Sequence, residues 1–84
     1  MQPYLNRSGN SGVVAFKIQR DFIIVRFRGG ELYVYESERV GRDHIDEMKR
    51  LAVAGRKLST YISRNRDVWS GAVGYDPAIH GDLN

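Results

Sequence analysis

Cysteine is absent from this 84-residue chain, and its absence excludes several classes of site together. Without thiols there are no disulfide bonds, no thiolate nucleophile and no zinc–thiolate centre. A secreted domain of this length would usually carry disulfides. No apolar run approaches the roughly 20 residues of a membrane span, and residues 1–12 lack the charged start and apolar core of a signal peptide. We therefore expect a cytoplasmic monomer or weak oligomer without a membrane partner.

Histidine is also scarce, and the two that occur do not form a catalytic constellation. His80 lies in a glycine-rich tail. His44 and Glu47 have the i, i+3 spacing of two ligands on one helix face, but the sequence places no third ligand beside them. Ser59 and Thr60 lack the neighbouring base that a nucleophile requires. We therefore predict that the chain is not an enzyme and that it has no cofactor, no metal site and no evident small-molecule substrate.

Three short segments alternate between apolar and polar residues, which is the pattern of β-strands. They span residues 13–18, 22–27 and 32–35, and β-branched and aromatic residues dominate them. Gly29 and Gly30 separate the second segment from the third and suit a tight hairpin. The pattern predicts a three-stranded antiparallel meander.

The apolar period becomes helical after the third strand. It predicts a helix over about residues 42–54, a left-handed residue at Gly55, and a second helix over about residues 56–65. Because neither helix is long enough to be stable alone, both should pack on the sheet. The predicted fold class is α+β, with a three-stranded antiparallel β-meander followed by two short helices packed on one face. The residues expected in the core are Ile23, Val25, Phe27, Tyr33, Ile45, Met48, Leu51, Leu58 and Ile62.

The chain ends are polar or rich in glycine, so the predicted domain is shorter than the chain. Residues 13–66 should form the single domain, and residues 1–12 a flexible N-terminus, from which Tyr4 and Leu5 could dock. Residues 67–84 should be a largely flexible C-terminal tail.

Two motifs in this order resemble those of the KTSC domain family. The first motif, F-x-x-G-x-x-Y-x-Y, is present as Phe27, Gly30, Tyr33 and Tyr35. The second, A-x-x-G-R-x-[FL]-x-x-x-I, is present as Ala52, Gly55, Arg56, Leu58 and Ile62. The family is named for its likeness to the C-terminal part of certain lysyl-tRNA synthetases, and the resemblance covers roughly residues 11–64. It implies a small ββαα-type bacterial or phage domain without settled activity, and by analogy a connection with nucleic acid.

The charge of the chain is unevenly distributed, although its net value is only +3. Residues 36–47 hold five of the ten acids, whereas residues 48–66 hold six basic residues and no acid. The helix dipole explains part of this asymmetry. The remainder lies at the start of the second predicted helix, where free N–H groups favour an anion. We therefore predict an anion- or nucleic-acid-binding site formed by Arg56, Lys57, Ser59, Arg64 and Arg66.

The predicted function is a non-catalytic small binding module whose basic surface binds RNA or DNA. One alternative is that Arg56 and Lys57 are only solvated, or that one of them pairs with an acid such as Glu36 or Glu38. Another is a protein–protein interaction module, or a phage or host accessory protein, that uses exposed sheet edges. In a further variant, Arg26 and Arg28 lie between aromatic rings on the outer face of the sheet and help to stack unpaired bases.

Overall fold

A computed structural model describes residues 1–84 and shows an α+β fold around one antiparallel sheet. The five strands are adjacent in chain order: β1 (Gln2–Pro3), β2 (Val13–Ile18), β3 (Phe22–Phe27), β4 (Leu32–Glu36) and β5 (Val73–Gly74). The helices are α1 (Ser37–Val40), α2 (Arg42–Ala54), α3 (Leu58–Arg64), α4 (Arg66–Trp69) and α5 (Pro77–His80). The α+β class is confirmed. The predicted count of three strands and two helices was wrong, because the chain ends add two short strands and short helices follow β4, α3 and β5.

The three central strands form the predicted meander. Val25 of β3 faces Phe16 of β2 and Tyr33 of β4, so one face of the sheet carries a continuous apolar row. The β3–β4 turn closes through a hydrogen bond of 2.9 Å from the Gly30 N–H to the Phe27 carbonyl. Gly30 has a φ of 97°, which an L side chain disfavours, and this is why a glycine stands there.

Helix α2 has the predicted bounds and ends at Gly55, whose φ of 74° is left-handed as predicted. The Gly55 N–H donates to the carbonyls of Leu51 and Ala52 and so satisfies the end of the helix. The second predicted helix begins later than expected, at Leu58, because Lys57 also adopts a left-handed conformation with a φ of 65°. Arg56 and Lys57 therefore lie in the connecting loop and not in the first helical turn.

The main core lies between one face of the sheet and helices α2, α3 and α4. Most of the predicted core residues are buried there, together with Phe16, Tyr35 and Val68, which were not on the predicted list. Two predictions were wrong in degree: Tyr33 is 40% exposed and Phe27 is only partly buried. Both side chains lie at the hairpin end of the sheet, where they line an open groove and are not covered by a helix.

The opposite face of the sheet is covered as well. Ile24 and Val34 are fully buried although they do not belong to the main core cluster. The C-terminal residues run across this face, where the Lys17 ammonium donates to the carbonyls of Asp82 and Asn84. The outer face is therefore not the open basic and aromatic surface considered from the sequence.

One buried histidine holds the C-terminal residues to the sheet. His80 is 6% exposed, and its Nε2 lies 3.2 Å from the Glu36 carboxylate. Its Nδ1 accepts a hydrogen bond of 3.1 Å from the Asp76 N–H, which places the proton on Nε2. The ring makes an edge contact with Phe22, at a centroid distance of 5.3 Å, and stacks on Tyr75.

The N-terminal residues also pack on the domain. Tyr4 is buried, and its hydroxyl accepts a hydrogen bond of 3.2 Å from the Leu58 N–H. The flexibility expected of residues 1–12 and 67–84 stays a prediction about motion, but both segments contribute strands and buried side chains. None of the helices is long and apolar enough to cross a membrane.

Candidate functional site

A cleft of about 490 Å³ opens beside the start of α3, and no hydrophobic residue lines it. We call it the polar cleft; its lining residues are Ser8, Asn10, Ser11, Lys57, Ser59, Thr60 and Arg64. The side chains supply two cations, four hydroxyl groups and one amide, with no carboxylate. These are the groups that proteins use to contact phosphate oxygens.

One wall of the polar cleft comes from the N-terminal residues. The Asn6 side chain accepts a hydrogen bond of 3.1 Å from the Ser11 N–H, which closes a compact loop. The Arg7 N–H donates to the Gly55 carbonyl at 2.7 Å and ties this loop to the α2–α3 joint. The Ser11 hydroxyl then donates to the Ser59 hydroxyl at 3.2 Å. The loop is therefore held to the α2–α3 joint at one end and to α3 at the other.

The cations of the predicted site are not neutralised by acids. The ion pairs of the molecule join Arg42 to Asp21 and Asp46, and Arg50 to Glu47, while the His80 ring is hydrogen-bonded to Glu36. None of them includes a cation of the predicted site. The alternative in which Arg56 or Lys57 pairs with Glu36 or Glu38 is therefore wrong.

The structure brings part of the predicted site together. Lys57, Ser59 and Arg64 line the polar cleft, whereas Arg56 and Arg66 are exposed but outside its lining. Asn65 has an extended backbone, with a φ of −115° and a ψ of 102°, and so separates α3 from α4. Arg64 therefore ends α3, whereas Arg66 begins α4.

Sequence reasoning missed the N-terminal half of the polar cleft. Ser8, Asn10 and Ser11 belong to a segment whose composition indicated flexibility, and no local pattern connects them to α3. Arg28 was considered only for the outer face of the sheet, yet its guanidinium donates to the Ser11 carbonyl at 2.9 Å. The one available signal that this segment docks on the domain was the pair of large apolar side chains at Tyr4 and Leu5.

A second recess lies at the hairpin end of the sheet. We call it the aromatic groove; it has a volume of about 430 Å³ and is lined by Phe27, Glu31, Tyr33, Tyr35, Trp69 and Ala72. The rings of Phe27 and Tyr33 meet edge to face at a centroid distance of 6.0 Å. Burial, with a smaller contribution from Tyr33, raises the pKa of the Tyr35 hydroxyl to about 12. Tyr35 therefore remains a neutral hydrogen-bonding group throughout the physiological range.

The polar cleft and the aromatic groove flank the same hairpin strand. Ser11 lines the cleft and bonds to Arg28, while Phe27, the preceding residue, lines the groove. On the helical side, Arg64 lines the cleft, and Trp69 of the next helix lines the groove. The two recesses therefore draw on neighbouring residues of the same hairpin strand and on two successive helices.

The histidine on α2 has a different partner from the one considered for a metal. His44 Nδ1 lies 2.7 Å from the Tyr61 hydroxyl. Burial, then the charges of Glu47 and Asp43, raise the pKa of Tyr61, while the hydrogen bond from Arg50 lowers the pKa of Glu47. No group of three or more histidine or acidic side chains is close enough to hold a metal ion.

A scan against protein-family models, a search of curated proteins and a search of solved structures each found no match to this chain. The functional assignment therefore depends on the chemistry of the polar cleft and the aromatic groove.

Proposed function

We propose that this chain is a non-catalytic binding module whose polar cleft binds the phosphate backbone of RNA or DNA. The observation that carries the proposal is the cleft lining, in which Lys57 and Arg64 stand among hydroxyl groups without an acid. Lysine and arginine supply the electrostatic part of nucleic-acid affinity, while serine, threonine and asparagine bond phosphate oxygens and fix the register. A phosphate in the cleft would meet both kinds of group.

The backbone at Lys57 supports a role for this residue. Its φ of 65° makes it one of two residues other than glycine with a positive φ, the other being Asn6. A non-glycine residue in this region costs of order 1 kcal/mol and persists where its surroundings require it. Asn6 closes the loop that forms one cleft wall, and Lys57 lines the cleft beside the start of α3. Both left-handed residues therefore shape the same cleft.

We further propose membership of the KTSC family and a cytoplasmic location. The family resemblance includes Gly55, Arg56 and Leu58, which form the joint beside the polar cleft. The connection of the family with nucleic acid is an analogy. It supports the proposal beside the chemistry of the cleft lining and does not replace it. The cytoplasmic location is supported by the absence of cysteine from a chain of this length.

The protein-interaction alternative is less well supported by the sheet edges. The outermost strands, β1 and β5, each comprise two residues, and β1 contains Pro3. Short edges and proline make poor templates for an added strand. We therefore place nucleic-acid binding first.

The test is a titration of fluorescently labelled single-stranded and duplex oligonucleotides at several salt concentrations. Replacing Lys57 and Arg64 together by alanine should weaken binding to all sequences alike. It should also reduce the slope of log affinity against log salt by up to about two units, because each lost phosphate contact removes about 0.7–0.9 unit.

A matched control removes the same charge elsewhere. Arg20 and Lys49 meet at the β2–β3 turn, at the opposite end of the sheet from the Gly29–Gly30 hairpin, where Lys49 donates to the Arg20 carbonyl at 2.9 Å. Their double alanine variant should leave the salt slope nearly unchanged. If both double variants lose the same affinity, binding depends on net charge and not on the cleft. If the wild-type protein does not bind at high micromolar concentration, the proposed function is rejected.

A further inference from the structure

We infer that the aromatic groove binds one unpaired nucleobase, with a preference for guanine that Glu31 reads. This inference rests on the proposed function, since it assigns the base of the strand whose phosphate occupies the polar cleft. It adds a substrate class, single-stranded nucleic acid, and a specificity-determining residue. Neither follows from the basic charges, because phosphate contacts carry no sequence information.

The groove has the walls that a stacked base requires. Tyr33 is 40% exposed and Trp69 is 51% exposed, so both rings remain open to a ligand. Val68, adjacent to Trp69, is fully buried, and this anchor fixes α4 while the indole stays outside the core. Aromatic side chains of this kind stack unpaired bases in many single-strand-binding proteins. The floor is Tyr35, which is 2% exposed and therefore rigid.

Glu31 is the only charged residue that lines the groove, and it has no ion-pair partner. Its carboxylate lies over Gly29, where an added Cβ would collide with it, and because the side chain is exposed it is free to turn from Gly29 towards a base in the groove. A carboxylate offers two hydrogen-bond acceptors and no donor. Guanine presents two adjacent donors on its Watson–Crick edge, N1–H and the N2 amino group, whereas each other base presents an acceptor beside its donor. Glu31 therefore matches guanine and opposes uracil and thymine.

The surroundings favour a nucleic-acid base over an isolated cation. Phe27 of the groove precedes Arg28, whose guanidinium bonds to Ser11 of the polar cleft. Lys57 and Arg64 lie in the same cleft. We infer that a strand whose phosphate enters the cleft follows the hairpin to the groove, whereas these cations would repel a positively charged side chain.

The experiment uses Trp69, the only tryptophan of the chain, as a fluorescent probe within the groove. The ligands are a nonamer of deoxythymidine and the same nonamer with a central guanine, hypoxanthine, adenine or cytosine. We expect the guanine nonamer to quench Trp69 most strongly and to bind about tenfold more tightly than the thymidine nonamer, with hypoxanthine intermediate because it lacks the N2 amino group.

Two variants separate base reading from backbone binding. Glu31→Gln should reduce the guanine preference to less than about twofold while oligothymidine binding persists, since an amide offers only one acceptor. Tyr33→Ala should weaken all single strands about tenfold and leave duplex binding unchanged. Both side chains are exposed, so the fold should persist, and thermal melts verify this.

The outcomes distinguish this inference from the proposed function. Equal affinity for all nonamers, lost with the Lys57 and Arg64 alanine pair but insensitive to Tyr33→Ala, would overturn the base site and leave the backbone site standing. If tetramethylammonium quenches Trp69 fluorescence only when Glu31 is present, and guanine is not preferred, the base site is overturned in favour of a cation site. Absence of binding to every oligonucleotide would remove the function and the base site together.

Discussion

Replacing His80 by alanine tests whether the C-terminal residues are an integral part of the fold. The sequence indicated a flexible tail, whereas in the structure this ring bonds to Glu36 and to the Asp76 N–H and contacts Phe22 and Tyr75. Alanine would remove both hydrogen bonds and leave a cavity beneath α5. It would also loosen the segment that covers the outer face of the sheet.

The magnitude follows from the lost contacts. Each hydrogen bond contributes about 0.5–1.5 kcal/mol, and more where one partner is charged, and each favourable ring pair adds about 0.5–1.5 kcal/mol. Because such contributions are not additive, we expect the free energy of unfolding to fall by about 2–4 kcal/mol. A domain of this length has a total stability of roughly 4–13 kcal/mol. The melting temperature should therefore fall by roughly 10–20 °C.

The assay is thermal and urea denaturation followed by circular dichroism, with Ile79→Ala as the matched control. Ile79 lies next to His80 on α5 but is 71% exposed, so its truncation should change stability by less than about 0.5 kcal/mol. His80→Ala should also increase binding of an apolar dye as Ile24 and Val34 become uncovered. If the two variants melt at the same temperature, the C-terminal residues do not hold the sheet as described.

Two further predictions concern stability. Gly55→Ala should lower the free energy of unfolding by about 1–2 kcal/mol for the left-handed φ alone, and by more because the new Cβ would lie 2.6 Å from Leu5 Cβ; an unchanged urea midpoint would contradict the left-handed joint. Tyr35, whose pKa is raised to about 12 by burial, should contribute stability that is complete below about pH 10 and lost as the pH rises towards 12. The free energy of unfolding of the wild-type protein should therefore fall by about 1–2 kcal/mol more than that of Tyr35→Phe over that interval. An equal fall in both proteins would contradict a raised pKa of the Tyr35 hydroxyl.

The local sequence patterns were sufficient for the central part of the fold. Alternation placed the three strands of the meander, and helical period placed α2 with its bounds, because each signal lies within one contiguous segment. Gly55 was identifiable because a left-handed helix end has a strong local preference for glycine. Lys57 was not, since the same conformation at a lysine has no compositional signal. That one residue moved the start of α3 and took Arg56 out of the helix.

The polar cleft and the aromatic groove required contacts between distant segments. Lys57, Ser59 and Arg64 were predicted together because they share one short stretch of chain. Ser11 joins them through a hydroxyl contact across 48 residues, and no local pattern records such a pairing. The aromatic groove likewise combines the β3–β4 hairpin with Trp69, which lies within the segment predicted to be a largely flexible tail.

The sequence by itself determined the α+β class, the meander, the helix α2 and the basic segment that follows it. Period and turn chemistry are local, and they act on backbone conformation before any tertiary contact forms. Only the tertiary structure decided that both chain ends pack on the domain, that His80 is buried against Glu36, and that Tyr33 lies in a groove. Those outcomes depend on which apolar surfaces remain uncovered once the sheet and helices have met. Ile24 and Val34 leave such a surface, and the C-terminal residues cover it because no other part of the chain does.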